Sequence, residues 1–93
     1  MKQYKTRPGV VLTTVGGQYV LVAAKAAREF CPSTMQINET AALCWRELEQ
    51  GADRDGLVSA LAKEYEVEDA AGLDADVQEL VEQLEKYGYL IDA

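Results

Sequence analysis

The spacing of apolar residues changes near residue 38 of this chain. Before that point they come in short β-rich runs. Val10, Val11, Leu12 and Val15 form one run, and Tyr19, Val20, Leu21 and Val22 form a second. Gly16-Gly17 between them supplies the positive φ that a tight hairpin turn needs, which predicts strands near 10–14 and 18–23. Residues 24–32 read as a helical turn or loop closed by Pro32. Ser33 to Ile37 reads as a third strand, with Met35 and Ile37 alternating against Thr34 and Gln36.

After residue 38 the period becomes helical. Ala41, Cys44, Trp45 and Leu48 fall at i, i+3, i+4 and i+7, one buried stripe of a helix from about 39 to 50. Asn38 stands where an N-cap accepts from the first free N–H groups, Glu39 and Glu47 face outward, and Gly51 ends the helix. A second helix, capped by Asp53, carries Leu57, Val58, Leu61, Ala62 and Tyr65. A third begins at 69 or 74 and runs to Tyr87 with the stripe Leu73, Val77, Leu80, Val81, Leu84 and Tyr87. Gly72 weakens a helix interior and leaves that start open. Tyr89, Leu90 and Ile91 form an apolar tail expected to tuck back onto the core.

Three strands followed by three helices predict an α+β fold. An N-terminal three-stranded antiparallel sheet covers its apolar face with the helices. The second and third helices, joined by Glu66 to Ala71, resemble a helix-turn-helix, so the architecture reads as winged helix-turn-helix-like.

The 93 residues predict a single domain spanning 1–93. No apolar run approaches the roughly 20 residues needed to cross a bilayer. The polar start has no signal core, so a cytoplasmic protein without a membrane partner is expected. Lys2, Lys5 and Arg7 read as a solvated basic tail.

Catalytic chemistry is hard to place on these residues. The chain has no histidine, which removes the commonest general base and a principal zinc ligand. Cys44 on its buried stripe reads as a small core filler, and Cys31 as a free loop thiol without a base to activate it. Asp74, Asp76, Glu79, Glu82 and Glu85 read as a solvated helix face rather than a paired-carboxylate site. The expectation is no enzyme, no metal and no cofactor. The helix-turn-helix outline invites a DNA-binding reading, a regulator that puts its second helix in the major groove. Here that helix carries the five acids against Lys86, in a chain of net charge −7. Phosphate contacts need Lys or Arg, so no nucleic-acid partner is expected.

From Pro8-Gly9-Val10-Val11-Leu12 through Tyr89-Leu90 the sequence resembles the PqqD-like family. The residues that carry the resemblance are the Pro8-Gly9 start of the first strand, the Ile37-Asn38-Glu39-Thr40 junction and Trp45-Arg46-Glu47-Leu48. Leu57 to Val67, finishing in Tyr-x-Val, follows the family's second helix. Asp76-Val77, Leu84 and Gly88-Tyr89-Leu90 follow the last helix and its exit. One departure is Cys44 before the tryptophan, where many members have isoleucine.

The resemblance implies a RiPP recognition element, a module without catalysis that binds the leader of a ribosomally made precursor peptide. It presents the peptide to a modifying enzyme, a radical-SAM maturase or a lasso-type leader peptidase. The leader would add as a strand beside Ser33, Thr34, Met35, Gln36 and Ile37. The third helix would wall the groove with Val77, Leu80, Val81 and Leu84, and Asp76 and Glu85 would sit near its rim. Two rivals remain at this point: the DNA-binding regulator, and a structural subunit that only stabilises a partner enzyme.

Overall fold

The computed structural model describes residues 2–66 and 71–92. Its strands are β1 (Tyr4–Thr6), β2 (Val10–Val15), β3 (Gln18–Ala23), β4 (Thr34–Ile37) and β5 (Leu90–Asp92). Its helices are α1 (Glu39–Gln50), α2 (Arg54–Tyr65) and α3 (Ala71–Lys86). The expected sheet is present, antiparallel in the order β2-β3-β4 and followed by the three helices. Gly16 and Gly17, at φ 58° and 79°, make the two-residue turn between β2 and β3. Of the two starts expected for the third helix, residue 69 lies outside the described residues, as does Val67 of the Tyr-x-Val pattern.

Capping follows the sequence closely. The Asn38 side chain accepts from the Ala41 N–H at 2.8 Å, and Asp53 accepts from the Gly56 N–H at 2.7 Å. Gly51 ends α1 at φ 89° and donates to the Leu48 carbonyl. The α1 stripe Ala41, Cys44, Trp45 and Leu48 is buried as expected. Cys44, Trp45 and Leu48 pack with Leu21 and Ala23 of β3, Leu57 and Leu61 of α2, and Val77, Val81 and Leu84 of α3. The Trp45 and Tyr89 rings meet edge to face, 6.4 Å apart.

Two expectations need correcting, and two others gain detail. The basic N-terminus is not a solvated tail. β1 pairs antiparallel with β5 in a second, two-stranded sheet, and Tyr4 exchanges backbone hydrogen bonds with Ala52. Lys2 bridges Glu85 at 2.8 Å and Asp92 at 3.3 Å, while Arg7 donates to the Gly88 carbonyl and stacks 4.3 Å over the Phe30 ring. The apolar tail returns to the core as expected, and it does so as the strand that pairs with β1. Cys31 is a free thiol in the loop before β4, as expected, and it is buried there, donating to the Ala27 carbonyl at 3.1 Å. Finally, Tyr65 and Tyr87 close their predicted stripes on the outside, 42% and 41% exposed, because each stands in the last turn of its helix or just past it.

The segment before β4 is fixed from the C-terminal side. Ala27–Glu29 form a 3-10 turn, and the Tyr89 hydroxyl donates to the Pro32 carbonyl at 2.9 Å. Gly88, at φ 85°, lies so close to the Phe30 carbonyl that a Cβ there would collide with it. The C-terminal strand therefore sets where β4 begins.

Candidate functional site

β4 is one of the two free edges of the larger sheet. Its register on β3 sets Met35 opposite Leu21, Ile37 opposite Tyr19, Gln36 opposite Val20 and Thr34 opposite Val22. The Ala23 N–H donates to the Ser33 carbonyl at 2.8 Å, so Ala23 and Ser33 form a hydrogen-bonded pair. Antiparallel pairs alternate between bonded and non-bonded positions. Met35 and Ile37 therefore turn their backbone groups to β3, while Thr34 and Gln36 turn theirs to open space. The pleat does the opposite with side chains. Met35 and Ile37 pack against the core, and Thr34 and Gln36 are exposed.

Beside this edge lies a groove of about 480 Å³ between β4, the start of α1, and α3. Its floor is apolar: Met35, Ile37, Ala41, Leu61, Val77, Leu80 and Leu84. Its rim is Gln36, Asn38, Thr40, Asp76, Glu79 and Gln83. Among the described residues the charges on the groove are the two acids, Asp76 and Glu79. Other α3 acids are occupied elsewhere: Asp74 bridges Arg54 at 3.4 Å, and Glu85 holds Lys2. Asp76 and Glu79 have no ion-pair partner among the described residues, so the groove wall is electronegative.

The structure brings together most of the residues named from sequence. Met35, Gln36, Ile37, Asp76, Val77, Leu80 and Leu84 line the groove. Ser33 and Thr34 lie on the same edge, just before it. Val81 is 3% exposed and belongs to the core behind the groove, and Glu85 faces the two-stranded sheet. Sequence reasoning passed over Asn38, Thr40, Ala41, Leu61, Glu79 and Gln83. Helical spacing offers the signal that would have found two of them. Asp76, Glu79, Leu80 and Gln83 stand at i, i+3, i+4 and i+7, one face of α3.

Burial pushes the Cys44 thiol up to about 11 and raises that of Cys31, which keeps both protonated. Among the described residues no cluster of acids and cysteines has metal-binding geometry. No helix among them is long and apolar enough to cross a membrane.

Comparison with known proteins identifies a family and a shared fold. The family described as Coenzyme PQQ synthesis protein D (PqqD) matches residues 10–90. Among solved structures, a lasso peptide synthetase B1 complexed with the leader peptide superposes with a TM-score of 0.72 at 25% identity, over 95% of this chain and 96% of that one. TbiB1 in complex with the TbiA(beta) leader peptide superposes with a TM-score of 0.71 over 92% and 93% of the two chains. At 21% identity that second likeness concerns the fold alone. No curated protein sequence matches significantly.

Proposed function

The chain belongs to the PqqD family, and from that premise we propose that it is a RiPP recognition element, binding the leader of a precursor peptide at the β4 edge. The observation that carries this reading is the open backbone of Thr34 and Gln36 beside the apolar groove. An extended peptide gains main-chain hydrogen bonds from such an edge, and its alternate side chains fill the adjacent pockets. The leader would lie antiparallel or parallel to β4, with every second side chain over Met35, Ile37, Val77, Leu80 and Leu84. Those members of the floor are shared with the core, so a bound leader extends the core rather than creating a new one.

The groove charge adds a preference. Asp76 and Glu79 face the peptide without a cation of their own, so the leader carries Lys or Arg at the positions that reach the rim. Both acids are exposed, and screening by salt should weaken that part of the interaction. The module itself performs no chemistry and hands the peptide to a modifying enzyme. The likeness to a lasso peptide synthetase B1 favours a leader peptidase over a radical-SAM maturase as that enzyme.

Titration with the leader encoded beside this chain tests the reading. Binding in the micromolar range, roughly −8 kcal/mol, is expected, because the peptide is disordered when free and must be ordered on the edge. Duplex DNA at the same concentrations should give no salt-sensitive gel shift. A leader that fails to bind while the partner enzyme still does would instead identify a structural subunit.

A further inference from the structure

The other free edge of the larger sheet is β2. β2 reads Val-Val-Leu-Thr-Thr-Val, without a charge or a proline to guard it. Natural sheets blunt exposed edges with Lys, Pro, bulges or covering loops, because an open edge recruits another strand. Here the Ala24 N–H donates to the Gly9 carbonyl, which makes that pair hydrogen-bonded. By alternation Val11, Thr13 and Val15 bond to β3, and Leu12 and Thr14 turn their backbone groups outward. Nothing among the described residues bonds to those groups.

The side chains of this strand are also poised for a partner. Val11 and Val15 are 60% and 61% exposed, on the sheet face away from the helices. They stand symmetrically about Thr13. A polar groove runs beside the edge, lined in part by Tyr19 and by Arg46 and Glu49 of α1. It carries one charge of each sign, a locally neutral zone on a chain of net charge −7.

We infer that β2 pairs antiparallel with β2 of a second copy, about a two-fold axis through Thr13. The register is self-complementary. Leu12 and Thr14 of one copy exchange hydrogen bonds with Thr14 and Leu12 of the other. Val11 then packs against Val15 across the strands on the exposed face, a favourable β-branched pair. The two-fold axis sets Arg46 and Glu49 against their own copies in reverse order, cation toward anion. The product is one continuous six-stranded sheet with β4 at both outer edges, so both leader grooves stay open. This inference stands on the β2 edge alone and does not depend on the leader reading.

Sedimentation equilibrium of the intact chain and its variants tests it. Pairing of one six-residue strand with its copy is a small contact, so weak association, with dissociation on the order of 100 μM, is expected. Thr13 meets its own copy at the axis. Thr13→Lys and Thr13→Glu should each weaken dimerisation more than tenfold by facing like charges, and an equimolar mixture of the two should restore it. Concentration-dependent amide shifts should centre on Leu12 and Thr14. A parent chain that stays monomeric to about 1 mM, well above that range, overturns the inference. So does a mixture that associates no better than either variant, or self-association whose shifts fall at Thr34 and Gln36 instead. Thr13 is exposed, and an amide spectrum matching the parent shows that each variant is folded.

Discussion

Gln36→Pro is expected to keep the fold and to weaken leader binding about a hundredfold, roughly 3 kcal/mol. The Gln36 N–H points away from β3, so the sheet loses no hydrogen bond when proline removes it. An edge strand tolerates proline on its open side for this reason. The incoming leader, by contrast, loses a donor and meets a ring on the edge it must approach. Met35→Pro is the matching control. Met35 bonds to Leu21, so proline there breaks the β3–β4 ladder and should lower stability before it tells anything about binding. Equilibrium urea unfolding and leader titration together separate the two. A Gln36→Pro chain that binds within threefold of the parent would show that the leader does not use this edge.

The largest effect on stability should come from Gly88→Ala. Gly88 has a positive φ of 85°, and a Cβ there runs into the Phe30 carbonyl, which is backbone and has no rotamer to escape through. Strain of this kind costs about 1–3 kcal/mol before any displacement is counted. Moving Phe30 also disturbs Cys31, Pro32 and the hydroxyl bond from Tyr89, the contacts that hold the start of β4. A loss of about 3 kcal/mol or more is expected, a large share of the stability of a small domain. Gly16→Ala is the comparison. Gly16 also has positive φ, but nothing lies within 4 Å of its absent Cβ. That variant should lose only about 1 kcal/mol. Urea midpoints at unchanged m-value measure both. Equal losses at the two positions would mean that the Phe30 contact contributes nothing.

Local rules made most of the fold legible before any coordinates. The glycine pair, the two side-chain N-caps, the α1 stripe and the stop at Gly51 each act within a few residues, and each appears where the pattern puts it. β4 also falls where the alternation of Met35 and Ile37 with Thr34 and Gln36 places it, one residue shorter than read. The second sheet was not legible. β1 is three residues long and mostly polar, and its partner lies at the opposite end of the chain. A strand that short has no period to detect; it exists because β5 offers an edge and Lys2 and Arg7 find partners on the C-terminal segment. Cys31 escaped for a related reason, since its burial depends on the fold of a 3-10 turn beneath the C-terminal strand.

The site was half legible. Helix geometry accounts for which α3 residues reach it. At about 100° per residue, Leu80, Gln83 and Leu84 stay near the Asp76 side of α3, whereas Glu85, nine positions on, comes out roughly 180° away. Val81 falls between the two and enters the core. Listing α3 residues by apolar stripe therefore found the floor and misjudged the rim. In the sequence, Asn38 and Thr40 carry only the signal of a helix start and Ala41 that of a core stripe; that they line the groove follows from the single residue between β4 and α1, which sets the start of α1 across the end of the groove.

Backbone amide shifts on adding leader test the central claim most directly. If the leader adds as a strand to β4 and rests on α3, the changes will concentrate at Thr34 to Ile37 and along Asp76 to Leu84. The amides of Thr34 and Gln36 should move most, because theirs are the free donors. Changes centred on the Val15 to Tyr19 hairpin, with β4 and α3 unmoved, would contradict the account.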